Sequence, residues 1–346
     1  MAKIFLDLEK LKKPNSGLGQ FCLHLSHSIT KLIDNKDLGV YIPKKYKSSY
    51  PNAEILFWSR LHKYLKINVK TNIWHSLHQE AVYFPKNENI KKVLTIHDLN
   101  FLEIYEGTKR TRHLNQLQKL VDSANAVTFI SNFTRKVAEK NLSFSSQIVK
   151  KVIYNGVAID SSVRPEKPVF ITNYQPFLFT IGIVGEKKNF HTLIEMMKHL
   201  PALKLYISGS KKSAYAESII QLIEKHNLTH QVFLTGEIEE PEKIWMYKNC
   251  SAFVFPSKNE GFGLPVVEAM SFGKPLILSN KTSLPEIGGE LANYFTSFLP
   301  NQMAKEVTAS INQHSLTKKT ALIERSKLFN WDNAAKQYLE LYSEIS

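Results

Sequence analysis

Cysteine is scarce in this chain: two in 346 residues, Cys22 and Cys250, far apart and at no metal-ligand spacing. That excludes a disulfide-built scaffold or a zinc ribbon and suits a reducing compartment. No apolar run approaches the ~18 residues of a membrane-spanning helix, "FLFTIGIVG" being about the longest. The first residues, "MAKIFLDLEKLKKP", lack the long apolar stretch and small-residue cleavage site of a secretory leader and read as a first strand. A cytoplasmic protein is expected, with any membrane contact peripheral. No helix-turn-helix, finger or RNA-stacking signature is present, so nucleic acid is not an expected partner. No Asp-x-Asp pair stands at a strand end, so no metal and no cofactor is expected. Acidic residues are also short, 31 against 45 Lys+Arg, for a net charge of +14. The imbalance is local: residues 1–160 hold 25 Lys+Arg and 13 Asp+Glu, the rest 20 and 18. On charge alone the N-terminal half should therefore attract something anionic: a phosphorylated acceptor, an acidic bilayer or nucleic acid.

What is present is alternation. Apolar runs such as "KIFLDL", "GVYIP", "NIWHSL", "KKVLTIHD" and "AVTFISN" alternate with amphipathic stretches such as "GQFCLHLSHSITKLI" and "RHLNQLQKLVDSA". A second series follows: "FLFTIG", "KLYISG", "VFLTG", "AFVFP" and "PLILSN", interleaved with "TLIEMMKHL", "SIIQLIEKHN", "EKIWMYKNC" and "PVVEAMSFG". Strands followed by helices at this spacing imply parallel, doubly wound α/β sheets. Two Rossmann-like domains facing a cleft are predicted, over residues 1–162 and 177–330, with the Pro-rich stretch 163–176 as linker. The amphipathic segment 331–346 reads as a closing helix, expected to pack back on the first domain. "AEILFWSRLHKYLK" reads as an amphipathic helix, with Leu56 or Phe57, Leu61, Tyr64 and Leu65 on one face and Arg60, Lys63 and Lys66 beside it, either interfacial at a membrane or packed by its apolar stripe on its own sheet.

The most informative segment is "SKNEGFGLPVVEAMSFGKP", residues 257–275. It joins a strand to a helix, with Pro265 suited to a first turn and Gly273 to the end. The amides of Gly261, Phe262 and Gly263, leading to Leu264, come near a helix N-terminus, which favours a phosphate. Carboxylates there would repel phosphate, so Glu260 and Glu268 must aim at hydroxyls: Glu260 at a sugar, Glu268 at a ribose. A phosphate between two hydroxyl-bearing rings is a nucleotide sugar. Lys187 and Lys188, after the strand "FLFTIG", are placed to neutralise a departing diphosphate.

The spacing in "NEGFGLPVVEAM" resembles the E-x7-E segment of the retaining glycosyltransferases of family four, which have the GT-B fold. "FTIGIVGEKKNFHTLIEMM", "KLYISGS", "VFLTGEIEEPEKIWMYKNCSAFVFPS" and "KPLILSNKTSLPEIGG" follow that family's pattern in order. "NSGLGQFCLHL", "VLTIHDLNFL", "AVTFISNFTRK" and "VIYNGV" match it more loosely in the first half. The resemblance implies a metal-independent transfer of a hexose from a GDP- or UDP-linked donor to a glycan or lipid-linked acceptor. It implies that Lys188 acts on the diphosphate, with Lys187 where many relatives carry Arg. It likewise implies that Gly17 and Gly19 form a glycine loop near the donor and that His97 lies by the donor sugar. Asp98 could orient His97 or cap the next segment. His75, His78 and Gln79 in "WHSLHQE" follow another strand and could line the acceptor side. Ser283 with Glu286 reads as a capping box. A sugar synthase or epimerase of the same fold is the alternative reading, and a basic nucleic-acid-binding protein the remote one.

Overall fold

The computed structural model describes residues 3–14, 16–64, 69–81, 83–157, 159, 162–172 and 175–346, apart from the side chains of 35 and 63. The chain forms two units, one of residues 1–156 and 329–346, the other of residues 157–328. Leu65 and Lys66 of the expected interfacial helix lie outside the described residues.

Among the described residues, the first unit holds strands β1 (Ile4–Asp7), β2 (Leu38–Ile42), β3 (Glu54–Phe57), β4 (Ile73–Ser76), β5 (Lys91–Ile96), β6 (Ala126–Phe129) and β7 (Val149–Val152). All pair in parallel, in the order β3-β2-β1-β4-β5-β6-β7. Every residue of β1, β2, β4 and β6 is buried, the mark of strands covered on both faces. The connecting helices are α1 (Gly17–Thr30), α2 (Phe101–Ile104), α3 (Gly107–Asp122) and α4 (Asn132–Asn141). Gly39 on β2 leaves room for the Phe5 ring, which a Cβ there would meet at 2.1 Å. Phe5 can then stack on Trp74 with centroids 5.5 Å apart.

The interfacial helix does not form. Residues 54–57 are the edge strand β3, paired with β2, and 60–63 make a 3-10 turn capped by Ser59. Its apolar spacing also fits a strand, and pairing with β2 decides between them. Trp58 then donates to Glu9 Oε2 at 2.7 Å and ties the strand end to the sheet.

The second unit holds β8 (Phe177–Ile181), β9 (Lys204–Ser208), β10 (Val232–Gly236), β11 (Ala252–Phe255), β12 (Leu276–Ser279) and β13 (Asn293–Phe295). Its helices are α5 (His191–Met197), α6 (Ala214–Lys225), α7 (Glu240–Asn249), α8 (Leu264–Ser271), α9 (Leu284–Gly288), α10 (Pro300–Asn312) and α11 (Leu316–Ser326). The parallel order β10-β9-β8-β11-β12-β13 is the doubly wound dinucleotide-fold order. Its direction reverses between β8 and β11, and ligands of such sheets bind at the carboxyl ends of the strands there. The expected linker packs with this unit. Ile171 is buried, Phe170 meets Tyr206, and Glu166 N donates to Pro241 O at 3.1 Å.

The last helix, α12 (Trp331–Ile345), returns to the first unit. It buries Trp331, Tyr338, Leu341 and Tyr342 there, and Asp332 accepts from Ser28 of α1 at 2.7 Å. Each such apolar side chain stabilises the fold by roughly 1.5–3 kcal/mol.

Candidate active site

The loops after β8 and β11 meet at the switch point of the second sheet. The first is "GIVGEKKN", which winds into a 3-10 turn at Glu186–Lys188 and ends at Asn189 in the left-handed region, φ 58°. The second is "PSKNEGFG". Lys258 N donates to Lys187 O at 2.7 Å, a backbone bond that sews the loops together, and Ser257 Oγ lies 3.1 Å from the same carbonyl. Ser279, at the end of β12, donates its hydroxyl to Ser257 O beneath them.

This joint brings Lys188 onto Glu260. Nζ lies 2.6 Å from Glu260 Oε1, which also accepts from Ser257 Oγ at 2.6 Å. Lys188 and Glu260 are only 7% and 9% exposed, so the pair is shielded from solvent screening. The Phe255 ring lies 4.6 Å from the ammonium. Gly182 hugs the lysine stem, a Cβ there meeting Cε at 3.0 Å. Burial pushes the Glu260 carboxyl up, but the Lys188 and Lys187 charges and the bonds from Lys188 and Ser257 outweigh it, holding it below its ordinary value. Burial lowers the Lys188 ammonium, with Glu260 pulling the other way. Lys187 itself is exposed. A cation held only by a side chain can be taken by an incoming phosphate, and a carboxylate so released can accept from hydroxyls.

The glycine loop is fixed from behind. Gly263, the N-cap of α8, has φ 107°, and a Cβ there would meet Leu284 Cδ2 at 2.9 Å. Gly261, Phe262 and Gly263 are buried, while Leu264 and Pro265 open the helix half-buried. Glu260 N donates to Thr282 Oγ1 at 3.0 Å. Ser283 makes no side-chain cap bond to α9; its hydroxyl lies 2.9 Å from both Glu260 O and Phe262 O. The expected capping box is thus replaced by a brace on the loop, because two loop carbonyls compete for that hydroxyl.

Glu268, inside α8, is 7% exposed. Tyr247 donates to its Oε2 at 2.7 Å and Lys243 to its Oε1 at 3.2 Å. Lys243 also pairs with Glu240 at 2.8 Å. Sequence reading missed both partners. Their separation of four residues puts them on one face of α7, but nothing in the sequence says which element that face meets.

In the first unit the residues expected near substrates have varied surroundings. Gly17 and Gly19 do not form a loop; they are the first turn of α1, capped by Ser16, whose Oγ accepts from Gly19 N at 3.1 Å. His97 donates from Nε2 to Leu77 O at 2.8 Å, since a carbonyl can only accept. Burial holds its pKa down to about 4, so the ring is neutral and Nδ1 is its acceptor. Gln79 clamps the same strand end, accepting from His97 N and donating to Asp98 O. Asp98 accepts from Asn100 N at 3.0 Å, the bond of a turn leading into α2. His75 does not face an acceptor. It is fully buried, with Nδ1 2.6 Å from Tyr342 Oη and Nε2 2.8 Å from Thr95 Oγ1, and burial lowers its pKa to about 3. His78 is equally buried, accepting from Glu80 N at Nδ1, with Nε2 3.7 Å from Glu9 Oε1. β4 turns His75 inward against α12, and His78, two residues past that strand, lies by Glu9 near the end of β1. Among the described residues no three His, Cys, Asp or Glu side chains are grouped to hold a metal ion.

Residues 165–327, nearly all of the second unit, match the family described as "Glycosyl transferases group 1". Over that segment the chain is similar to the group 1 glycosyltransferases. It is similar along its whole length to the O-antigen chain mannosyltransferase B of Escherichia coli, 22% identical over 98% of this chain and 99% of that one. Among solved structures, Anabaena HepE in complex with UDP-glucose superposes with a TM-score of 0.78 at 16% identity, covering 99% of this chain and all of that one. Sucrose-phosphate synthase from Thermosynechococcus elongatus does so with a TM-score of 0.77 at 18% identity, over 99% of both chains. These structural likenesses show the fold, two Rossmann-like parallel-sheet domains of the GT-B class. The Lys188–Glu260 pair and the glycine loop lie inside the matched segment.

Proposed function

We propose that this glycosyltransferase moves a hexose from a nucleoside-diphosphate donor to a hydroxyl of a growing surface polysaccharide, with retention of configuration and without a metal ion. Mannose from GDP-mannose is the donor to try first, because a relative aligned over the full chain bears a mannosyltransferase name. The observation carrying the reading is the buried Lys188–Glu260 pair at the switch point. Lys188, with Lys187 and the loop amides, stabilises the diphosphate as the bond from its oxygen to the sugar carbon breaks. Glu260 holds the sugar hydroxyls, and Glu268 the ribose. The acceptor oxygen bonds to the same carbon from the leaving-group side, and its proton passes to the departing diphosphate oxygen. For His97 we assign Nδ1 to a substrate hydroxyl, its Nε2 being committed to Leu77.

The test is product analysis with GDP-mannose and UDP-glucose, each labelled in the sugar, and a mannan oligosaccharide acceptor. Transfer with the donor's anomeric configuration retained, and unaffected by a chelator, is expected. An inverted product, an epimerised donor with no transfer, or chelator-sensitive transfer would overturn the reading.

Peripheral contact with an anionic membrane belongs to the same proposal, in altered form. Leu61 and Tyr64 are 61% and 75% exposed beside exposed Arg60, and exposed Lys44, Lys45 and Lys47 follow the neighbouring β2. Apolar and aromatic side chains among lysines and arginines suit an acidic headgroup layer. Cosedimentation with anionic but not neutral vesicles, lost at high salt, is expected; equal recovery with both would remove this part.

A further inference from the structure

The Glu268 carboxylate is not a loose side chain waiting for a ligand. Both of its oxygens are already engaged, Oε2 by the Tyr247 hydroxyl at 2.7 Å and Oε1 by the Lys243 ammonium at 3.2 Å. An ionised carboxylate offers about four lone-pair sites, so one bond per oxygen leaves each with capacity to accept again. Tyr247 is fully buried, set between Phe179, Phe253 and Phe272 at centroid distances of 5.1, 5.6 and 5.8 Å. Its ring cannot rotate away without emptying that slot. Burial, reinforced by the Glu268 charge, pushes its hydroxyl well above the ordinary tyrosine range, which keeps it a donor. Lys243, one helical turn earlier on α7, is anchored in turn by Glu240 at 2.8 Å. Two rigid donors on one helix therefore fix the plane and tilt of a carboxylate on another.

Resting on the reading that Glu268 receives the donor ribose, we propose that Tyr247 and Lys243 are positioning residues that give the site its preference for ribonucleotides over 2′-deoxyribonucleotides. A free carboxylate can rotate to suit one hydroxyl as well as two. One held at both oxygens offers its remaining lone pairs in fixed directions, suited to the paired 2′ and 3′ hydroxyls of a ribose. A 2′-deoxy ring leaves one buried lone pair unmet, which costs binding. Neither residue touches the reacting atoms, so the effect belongs to donor affinity rather than to the rate of transfer.

Titration calorimetry tests this with GDP, UDP and their 2′-deoxy counterparts against the full chain. The unaltered protein should bind the ribo form of its preferred diphosphate roughly tenfold or more tightly than the deoxy form. Tyr247→Phe keeps the ring and removes only the hydroxyl. It should bring that ratio towards one by weakening ribo binding, leave deoxy binding unchanged, and raise the donor KM with kcat retained. Lys243→Met should act in the same direction and serves if the tyrosine variant does not fold. A ratio in both variants equal to that of the unaltered protein overturns the proposal. If Glu268→Ala abolishes the ratio while both other variants keep it, the ribose reading stands and the positioning role alone falls. If neither diphosphate binds, or the unaltered protein does not discriminate, the ribose reading falls as well.

Discussion

Replacing Lys188 by Met removes the cation from a carboxylate that is 9% exposed and leaves Glu260 with the Ser257 hydroxyl as its side-chain donor. Breaking a buried pair from one side costs about 3–5 kcal/mol, but here the carboxylate has an escape, since it can take up a proton. From an ordinary value of 4.5 to pH 7 is about 2.5 units, and at ~1.4 kcal/mol per unit the protonation costs about 3.4 kcal/mol. That figure is a ceiling, and it falls with pH. At pH 5 only about half a unit remains, or about 0.7 kcal/mol. Urea unfolding at the two pH values should therefore show a deficit near 3 kcal/mol at neutrality that shrinks below about 1 kcal/mol in acid. Adding Glu260→Gln to Lys188→Met should recover most of the neutral-pH loss. The sign for the unaltered protein follows from the depressed Glu260 pKa: the pair's stabilisation is present above about pH 4.5 and is lost as pH falls through the lower folded value. A pH-independent deficit, or one under about 0.5 kcal/mol at pH 7, would refute the view that Lys188 compensates a buried charge.

Three further outcomes are expected. Glu260→Gln, which keeps the shape but not the charge, should lower kcat/KM at least a hundredfold, about 2.7 kcal/mol of transition-state stabilisation; a rate within threefold of the unaltered enzyme would contradict its assignment. His75 and His97 have folded pKa values of about 3 and about 4 against an ordinary 6.5. Their contribution is thus complete above about pH 6.5 and lost as pH falls, by about 2 kcal/mol each at pH 5, which calorimetric melting between pH 8 and 5 would reveal. Gly19→Ala would drive its Cβ to 2.2 Å from Lys13 O and should lower the Tm of the first unit, whereas Gly17→Ala meets nothing within 4 Å and should be neutral or slightly stabilising.

The central strands and the main helices were legible because strands covered on both faces read as unbroken apolar runs. The edges were not. β3 opens on exposed Glu54 and its three apolar residues, Ile55 to Phe57, lie in a stretch whose spacing also fits a helix, while β7 is "VKKV", half-buried throughout, and shows no apolar run. The E-x7-E segment was legible for a different reason: its loop, helix start and both glutamates are contiguous, so spacing alone encodes their geometry. Lys243, Tyr247, Ser257 and Ser283 brace that geometry, and three of the four come from outside the glycine loop, where sequence distance carries no record of contact. The histidines show the same limit. His97 and His75 lie at or near the ends of neighbouring strands in "TIHD" and "IWHS", yet His75 is spent on Tyr342, 267 residues away. No spacing rule near either residue distinguishes them.

The most direct test of the donor site is a crystal of the protein grown with the nucleoside diphosphate it binds. The diphosphate should lie against Lys188 and the amides of residues 261–264, with the ribose hydroxyls on Glu268. A diphosphate bound elsewhere, with Lys188 still on Glu260 and the glycine loop empty, would contradict it.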